Sequence, residues 1–547
     1  MAPHLAAAFF DYYGYRVSES EARSWRNSLR AMADAVELGQ LDDQGIAVEV
    51  QLPLSSGRLD CLLTGHTAEE HAQAVIVELK QWESVGRSAI DECVVVAYGR
   101  GRDVLHPSHQ AARYANYLRD THSAFGLGGV DVVARAFLHN MNEDAESPLF
   151  DEGFSEILRE APLYTGDQVD ELAADLRRHL AGGDGMRVLD EVLKGRYRPQ
   201  KRLLEHTASM IRGEPTFTLL DEQRVAFNDV IGRVAKARHS EGRAAVLIRG
   251  GPGTGKSVIA VNLLAELSRL GVNVQHATGS KAFTSTLRKR VGPRAGAQFR
   301  YFNSYSRADD TLDVLICDEA HRIRASSVNR FTPKASRTDL PQVEELIRAA
   351  RTTVFFIDDL QIVRPGEMGS TDLIRAATAR MGVPLVEHEL ETQFRCGGSD
   401  AFVGWVENLL DLRRNPFALW DSNEEFAFDV LDSPNELEAL IRSRSSEGHS
   451  ARLTAGFCWR WSDPLDDGTL VNDVVVGDWR RPWNAKADQK RLAPGIPRSE
   501  FWATDSKGID QVGCVYTAQG FEFDYVGVIW GDDLVWRPRE GWVGQPE

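Results

Sequence analysis

The sequence predicts an α/β protein of several domains, in which a smaller N-terminal α/β domain precedes two domains built on parallel sheets. The first observation is a glycine-rich loop between an apolar strand and an amphipathic helix, at residues 244–260. The second is an apolar strand that ends in two adjacent carboxylates, at residues 313–323. The third is the length of 547 residues, enough for roughly three to five domains of about 100–200 residues each. The predicted boundaries are 1–140 for the N-terminal domain, 141–215 for a partly helical connector, 216–395 for the first parallel-sheet domain and 396–547 for the second.

The composition is typical of a globular protein in water, with 43% hydrophobic and 26% charged residues. No apolar run approaches the 18 or so residues that a membrane-spanning helix needs. Residues 1–17 also lack the basic start and long apolar core of a secretion signal. We therefore expect a cytoplasmic protein without a membrane partner. The six cysteines form no C-x-x-C pair, which argues against a zinc site or a disulfide framework and predicts buried thiols.

The charge balance excludes one class of nucleic-acid binder. A formal net charge of −17 has the wrong sign for a protein that coats nucleic acid through its bulk charge. Contact with nucleic acid therefore requires local basic tracts, and residues 194–202 and 281–300 are the two candidates. Either tract could also be an ordinary solvated face.

The first third of the chain alternates helix and strand patterns. Apolar residues at helical spacing predict a helix over residues 18–37, with Ser18 or Ser20 as its N-cap. Strand patterns follow at residues 46–52, 59–63, 74–79 and 130–138.

Three charged residues on these strands suggest metal-assisted phosphodiester hydrolysis. Asp60 and Glu78 offer carboxylate oxygens, the ligands that hard divalent cations such as Mg²⁺ or Mn²⁺ prefer. The period of two along a strand puts Glu78 and Lys80 on one face, so Lys80 could orient the attacking water beside the metal. The alternative is an ordinary strand that carries two salt-bridged charges.

The order of these residues, with Gln110 and Tyr114 on a later helix, resembles the exonuclease branch of the PD-(D/E)XK nuclease superfamily. That resemblance implies a nuclease-like domain in which Gln110 and Tyr114 belong to the site. It also implies an upstream acid, for which Glu37 or Glu49 could serve. For His106 and His109, loop and helix-capping roles are preferred over a metal site, since no further ligand stands at the right spacing.

The glycine loop fits the phosphate-binding pattern G-x-x-x-x-G-K-[ST]. Glycines tolerate positive φ, so successive N–H groups can converge on an anion at the start of a helix. Lys256 would lie against the phosphates of a nucleoside triphosphate and Ser257 would ligate Mg²⁺. The residues expected to bind nucleotide in this loop are Gly250, Gly251, Pro252, Gly253, Thr254, Gly255, Lys256 and Ser257.

Two carboxylates about sixty residues after Lys256 complete the expected hydrolytic chemistry. A buried parallel strand that ends in Asp318 and Glu319 delivers both to the edge of the sheet where the phosphates lie. Asp318 would hold Mg²⁺, and Glu319 would polarise the attacking water.

Further segments carry Gln223 before the loop, Gln361 and Arg395 after the two carboxylates, and the run T-A-Q-G-F-E at residues 517–522. Their order is that of superfamily 1 helicases, and the chain resembles the bacterial Schlafen-like DNA/RNA helicase domain from about residue 216 onward. The resemblance implies that Gln223 reads adenine through its amide, which donates and accepts at once. It assigns Gln361 to sensing the γ-phosphate and Arg395 to reaching into the nucleotide site. It also implies RecA-like folds for both parallel-sheet domains, with ATP and Mg²⁺ as cofactors. The residues expected to contact nucleic acid or couple it to nucleotide are Lys281, Arg288, Lys289, Arg290, Thr517, Gln519, Gly520 and Glu522.

One departure from the helicase pattern concerns its end. No closing motif of the V-A-L-T-R-A kind follows, so the arginine that normally completes the ATP site is not found. Arg537 or Arg539 could substitute, ATP hydrolysis could be impaired, or the sequence could be a fragment, which is the interpretation we favour.

The sequence thus predicts an ATP-driven helicase or translocase joined to a metal-dependent nuclease. DNA is expected as the partner rather than RNA, and DNA processing or phage defence is the expected setting by analogy with such fusions. One alternative is an ATPase switch that gates the nuclease or a partner without unwinding. The other is a helicase whose N-terminal domain binds nucleic acid but has lost catalysis.

Overall fold

The computed structural model describes residues 2–13, 16–52, 57–96, 101–125, 128–195, 207, 209–210, 218–237, 242–306, 312–328, 337–361, 366–392, 400–412, 414, 420, 426–487, 489 and 491–545. We call residues 2–195 the N-terminal unit, residues 218–392 the central unit and residues 426–545 the C-terminal unit. Among the described residues, no helix combines the length and the apolar character needed to cross a bilayer.

A mixed five-stranded sheet forms the middle of the N-terminal unit. Its order is β1-β2-β3-β7-β8, antiparallel from β1 to β3 and parallel from β3 to β8. The strands of this sheet are β1 (Gly45–Gln51), β2 (Arg58–His66), β3 (Ala72–Lys80), β7 (Asp131–Leu138) and β8 (Leu163–Thr165). A small antiparallel sheet of β4 (Val85–Arg87), β5 (Cys93–Val96) and β6 (Arg102–Leu105) lies between β3 and β7 in the chain.

Helices cover both faces of this sheet. The predicted N-terminal helix is confirmed as α2 (Glu19–Leu38), in which the Ser18 side chain accepts from the Glu21 N–H. One face packs apolar residues of α2 and α5 (Val169–Leu180), including Met32 and Leu176. The other face packs against α3 (Pro107–Thr121) and α6 (Gly185–Lys194). The remaining helices of this unit are α1 (Ala2–Tyr13) and α4 (Ser155–Glu160).

This unit continues past the predicted boundary at residue 140. Strand β8 pairs in parallel with β7, and α5 and α6 bury their apolar faces on the sheet. Most of the segment expected to be a connector is therefore part of the N-terminal core. The reason is that its helices are amphipathic and gain burial only by packing on this sheet.

A six-stranded parallel sheet forms the central unit, in the order β11-β10-β12-β13-β9-β14. Its inner strands β12, β13 and β9 are buried over most of their length, as expected for a sheet covered on both faces. The strands are β9 (Ala244–Gly250), β10 (Val274–Thr278), β11 (Phe299–Tyr301), β12 (Leu312–Asp318), β13 (Ala350–Ile357) and β14 (Leu385–Leu390). The helices are α7 (Asp221–Ala237), α8 (Lys256–Arg269), α9 (Lys281–Gly296), α10 (Gln342–Arg348) and α11 (Thr371–Met381).

The C-terminal unit contains a smaller parallel sheet of β15 (Ala451–Ala455), β18 (Val512–Cys514) and β19 (Tyr525–Ile529), with β15 in the middle. Two hairpins accompany it: β16 (Val474–Val476) with β17 (Trp479–Arg481), and β20 (Leu534–Arg537) with β21 (Gly541–Gly544). Helix α12 (Asp400–Leu409) precedes this unit, which also contains α13 (Pro434–Ser446) and α14 (Val515–Ala518). The strand predicted over residues 451–461 ends early, at Ala455, because Gly456 interrupts it.

Helix α7 joins the N-terminal and central units. Its Ala226 and Val230 pack in the central core, whereas Val225 packs with Cys93 and Leu105 of the N-terminal unit. Leu220, directly before the helix, lies in the N-terminal core. The two units therefore share this helix, and a division at residue 216 separates Leu220 from the core in which it packs.

Candidate functional site

The glycine loop connects β9 to α8, as predicted. Gly253 and Gly255 have φ of +84° and +82°, a region that side chains with a Cβ rarely adopt. The Lys256 ammonium folds back onto the loop and donates to the carbonyls of Gly250 and Gly251 at 2.7 and 2.6 Å. The loop thus has the backbone of a phosphate cradle, with a lysine at its rim.

Asp318 lies at the carboxyl end of β12, two strands away from β9. Burial acts to raise the pKa of Asp318, but contacts with His276 and the Ser257 hydroxyl outweigh it and hold that pKa below its usual range. The imidazole Nε2 of His276 lies 3.4 Å from Asp318 Oδ2, and this oxygen accepts no hydrogen bond although it is buried. A buried anionic oxygen beside a serine hydroxyl fits a divalent cation, as expected for Asp318 and Ser257.

Glu319 follows with φ of +56°, which turns its side chain away from the strand. Its Oε2 lies 3.0 Å from Nε2 of the fully buried His321. This arrangement keeps the carboxylate at the edge of the sheet beside Asp318, where a hydrolytic water would be polarised.

Asp358 is a third carboxylate at this edge, and it was not among the residues predicted for the site. It follows β13, the strand between β9 and β12, and its Oδ2 lies 4.0 Å from Lys256 Nζ. Burial raises its pKa, although Lys256 opposes that shift. The available signal was an acid directly after the apolar run Val354–Ile357, and the same kind of signal identified Asp318.

Gln223 is buried against the glycine loop. Its Nε2 donates to the Thr254 carbonyl at 3.0 Å, and its Oε1 accepts from the Leu220 N–H at 3.3 Å. Both ends of the amide are therefore bonded within the protein, and the reading of adenine by Gln223 stays a prediction.

Gln519 brings the C-terminal unit to the nucleotide edge of the central unit. Its Nε2 donates to Gln361 Oε1 at 3.3 Å and lies 3.1 Å from His321 Nε2. Gln519 and Gln361, which were predicted from separate motifs, are thus in contact beside His321, the residue that lies next to Glu319. Arg395, predicted for the same site, lies outside the described residues.

A cleft of about 340 Å³ separates the two units next to this contact. Ser257 and Glu319 line one side, and residues 520–523, which include Glu522, line the other. Arg290 and Arg452 also line it, so the cleft carries cations as well as carboxylates.

The basic helix α9 carries the predicted nucleic-acid contacts. Lys281, Lys289 and Arg290 are exposed, and Lys289 lies 4.3 Å above the ring of Phe501. Arg288 instead donates to the Phe299 carbonyl and stacks over Tyr301. Thr517 is buried on α14. The other basic tract, residues 194–202, lies outside the described residues from 196 onward.

The N-terminal unit has its own cluster of charged groups. Lys80 Nζ donates to Glu78 Oε1 at 2.6 Å, which confirms that the two share one face of β3. Asp60 accepts from the Leu79 N–H at 2.7 Å. Burial, followed by the neighbouring Asp60 carboxylate, raises the pKa of Glu78 to about 8. Burial likewise raises the pKa of Asp60, while Glu78 and Asp60 outweigh burial and raise that of Lys80.

Gln110 and Tyr114 extend this cluster from α3. Gln110 Nε2 donates to the Tyr114 hydroxyl at 2.8 Å, and that hydroxyl donates to both carboxylate oxygens of Asp221 at 3.0 Å. Asp221 is the first residue of α7, and it was not among the predicted site residues. Nothing in a single sequence links a residue at the start of one domain to a site in another.

Of the two candidate upstream acids, Glu49 is near the cluster and Glu37 is exposed on α2. Arg58 bridges Glu49 and Glu21 at 3.1 and 3.0 Å, and burial raises the pKa of Glu49 to about 7. In the described ranges, no group of three or more His, Cys, Asp and Glu side chains is arranged to hold a metal ion. The fit to a cation at Asp60 and Glu78 rests on the buried Glu78 Oε2, which accepts no hydrogen bond.

The remaining sequence expectations concern histidines and cysteines. His106 caps α3 by accepting from the Ser108 N–H, and it contacts the Leu149 carbonyl through Nε2, which confirms the capping role. The described cysteines are all free thiols, and all except the half-buried Cys458 are buried. Cys396 lies outside the described residues.

Comparisons with known proteins identify the family of residues 243–546. Residues 243–546 match the family described as the Schlafen group 3 DNA/RNA helicase domain. An uncharacterized protein of the yeast Saccharomyces cerevisiae is 24% identical over 327 residues, which cover 53% of this chain and 69% of the yeast protein.

Similar solved structures include DnaA from Aquifex aeolicus bound to AMPPCP, at 18% identity and a TM-score of 0.19, and a DNA replication initiation factor, at 17% and 0.18. The matches cover 34% and 40% of this chain. The chain spans 53% and 61% of the length of these two proteins. At these TM-scores the likenesses add nothing to the fold described above.

Proposed function

The chain belongs to the Schlafen group 3 DNA/RNA helicase domain family, and from this premise we propose that it is an ATP-dependent nucleic-acid translocase of superfamily 1 coupled to a metal-dependent nuclease. The contact of Gln519 with Gln361 and His321 carries the first half of this proposal. This contact joins the C-terminal unit to the edge of the central sheet where nucleotide would bind. A motor that closes two domains around ATP requires such a contact.

The residues of the central unit divide the work of hydrolysis. Lys256 binds the phosphate oxygens, Ser257 and Asp318 would hold Mg²⁺, and His276 positions Asp318. Glu319, held by His321, accepts the proton of the attacking water. Bound MgATP supplies the phosphoanhydride bond whose hydrolysis powers movement.

Nucleic acid would run along the exposed cations of α9. Lys281, Lys289 and Arg290 form a local basic surface on a chain with net charge −17. Such a surface binds the phosphate backbone without reading bases, as a translocase needs. We propose DNA as the partner, in DNA processing or phage defence.

The N-terminal unit supports the nuclease half. Asp60 and Glu78 would hold Mg²⁺ or Mn²⁺, Lys80 would orient the attacking water, and Gln110 and Tyr114 would bind phosphate oxygens. The buried, unbonded Oε2 of Glu78 is the observation that favours a cation there over a purely structural ion pair.

The test combines ATP hydrolysis and strand cleavage on one tailed DNA substrate with Mg²⁺ or Mn²⁺. The proposal expects DNA to stimulate hydrolysis, Lys256→Ala to abolish it, and Lys80→Ala to remove cleavage alone. Lys236→Ala, an exposed lysine on α7, is the matched control and keeps both activities. ATP hydrolysis that DNA does not stimulate would contradict the assignment of a translocase. DNA cleavage by the Lys80→Ala variant would contradict the proposed nuclease site. A matching RNA substrate tests the choice of DNA.

A further inference from the structure

The carboxylate of Asp221 occupies the anion-binding side of the N-terminal site. The Tyr114 hydroxyl donates to both of its oxygens at 3.0 Å. Burial raises the pKa of Asp221 to about 6, and Tyr114, Lys80 and Gln110 oppose that shift. These three side chains are the hydrogen-bond donors proposed for the nuclease. A carboxylate and a phosphodiester present the same kind of anionic acceptor to such donors.

The residues next to Asp221 contact the ATP site. Gln223 Nε2 donates to the Thr254 carbonyl of the glycine loop at 3.0 Å, and Glu222 accepts from the Thr392 hydroxyl at 3.1 Å. A Cβ on Gly255 would lie only 2.2 Å from Gln223 Nε2. A rearrangement of the loop at Gly255 would therefore disturb Gln223 and its hydrogen bond to Thr254, two residues from Asp221.

The backbone at Asp221 stores strain while the rest of the helix is fixed. Asp221 has φ of +37°, an uncommon conformation for a residue with a side chain. Further along α7, Arg224 forms two hydrogen bonds with Glu92 at 2.9 and 2.6 Å, and Asn228 donates to the Asp91 carbonyl at 2.8 Å. These hydrogen bonds hold α7 from Arg224 onward against the N-terminal unit, and the strained backbone at Asp221 lies in the turn before them.

We propose that Asp221 takes the place of the substrate phosphate in the N-terminal site, so that this site stays blocked until nucleotide binding at the glycine loop withdraws Asp221. This inference rests on the proposed nuclease function of the N-terminal unit. It makes Asp221 a regulatory residue supplied by the ATPase half of the chain.

The experiment measures cleavage of a tailed DNA duplex by the full chain with Mn²⁺, without nucleotide and with a nonhydrolysable ATP analogue. The wild type should cleave slowly alone and at least about tenfold faster with the analogue. Asp221→Ala and the isosteric Asp221→Asn should cleave at the fast rate in both conditions. Asp120→Ala is the matched control, because it removes an exposed carboxylate that accepts from the Thr218 hydroxyl at 3.1 Å. It should behave as the wild type does.

A second readout does not depend on cleavage. Coupling between two sites is reciprocal, so release of the block should tighten binding of a fluorescent ATP analogue by about fivefold or more. Thermal melting of Asp221→Asn checks that the variant is folded.

The outcomes separate the two proposals. Asp221 variants that still need nucleotide, or that cleave more slowly than the wild type, overturn the block. If neither the wild type nor any variant cleaves DNA, the nuclease assignment fails. The affinity for the ATP analogue then tests whether Asp221 links the two sites. Tighter binding in Asp221→Asn supports the link between the sites, and unchanged binding overturns it.

Discussion

Gly255→Ala tests the fit between the glycine loop and the helix that precedes it. Gly255 has φ of +82°, and an added Cβ would lie 2.2 Å from Gln223 Nε2. Alanine in this conformation costs roughly 1–2 kcal/mol of backbone energy. Gln223 would also have to rotate and lose its bonds to Thr254 and Leu220, which costs about 1 kcal/mol more.

The expected loss is therefore about 2–3 kcal/mol, which lowers the melting temperature of a unit of this size by about 4–12 °C. The assay is thermal unfolding of the nucleotide-free protein, so that ligand binding does not enter. Gly251→Ala is the matched control in the same loop, because nothing lies within 4 Å of its added Cβ and its φ is unstrained. Its effect should stay within about 0.5 kcal/mol.

A double-mutant cycle isolates the cost of the contact between the added Cβ at position 255 and Gln223 Nε2. In a Gln223→Ala background the amide that contacts the new Cβ is gone, so Gly255→Ala should then cost only its backbone strain of about 1–2 kcal/mol. A Gly255→Ala protein that melts with the wild type would refute the reasoning. An equal cost in the two backgrounds would also refute it, because the contact with Gln223 would then contribute nothing.

Two further predictions concern the contacts between units. Glu92 has its pKa lowered to about 2, because Arg224 and Arg113 outweigh its burial. A depressed carboxylate stabilises the fold above its unfolded pKa near 4.5, and this stabilisation disappears as pH falls toward 2. Glu92→Gln should therefore cost about 2 kcal/mol at pH 7, and melting curves of variant and wild type should converge between pH 4.5 and 2. Parallel curves would contradict this account. Gln519→Ala should reduce DNA-stimulated ATP hydrolysis at least about tenfold while leaving the affinity for an ATP analogue within about twofold, since the residue links units rather than binding the loop. A large loss of nucleotide affinity, measured by fluorescence titration, would assign Gln519 to nucleotide binding instead.

The sequence predicted the strands and helices best where local pattern and burial agree. Strand β12 is apolar from Val314 to Cys317 and leads directly to Asp318 and Glu319, so its place in a buried parallel sheet could be inferred from this local pattern. The boundary at residue 140 was drawn too early, because a three-residue strand such as β8 has no periodicity to detect. The pairing of β8 with β7 is a long-range contact that no local pattern encodes.

In the candidate site, too, residues placed by local spacing could be predicted, whereas residues placed by long-range contacts could not. The glycine loop and the Glu78–Lys80 pair were predictable because spacing along one element fixes their geometry. Asp358 carried a local signal, but Asp221 and His276 act through contacts between elements far apart in the chain. Glu49 and Glu37 could be distinguished only once Arg58 was seen to lie beside Glu49.

Displacement of a labelled strand from a tailed DNA duplex tests the central claim most directly. The full chain with ATP and Mg²⁺ should release the strand, and Lys256→Ala should not, whereas Lys236→Ala should behave as the wild type. ATP hydrolysis that DNA stimulates without any strand displacement would contradict the assignment of a helicase.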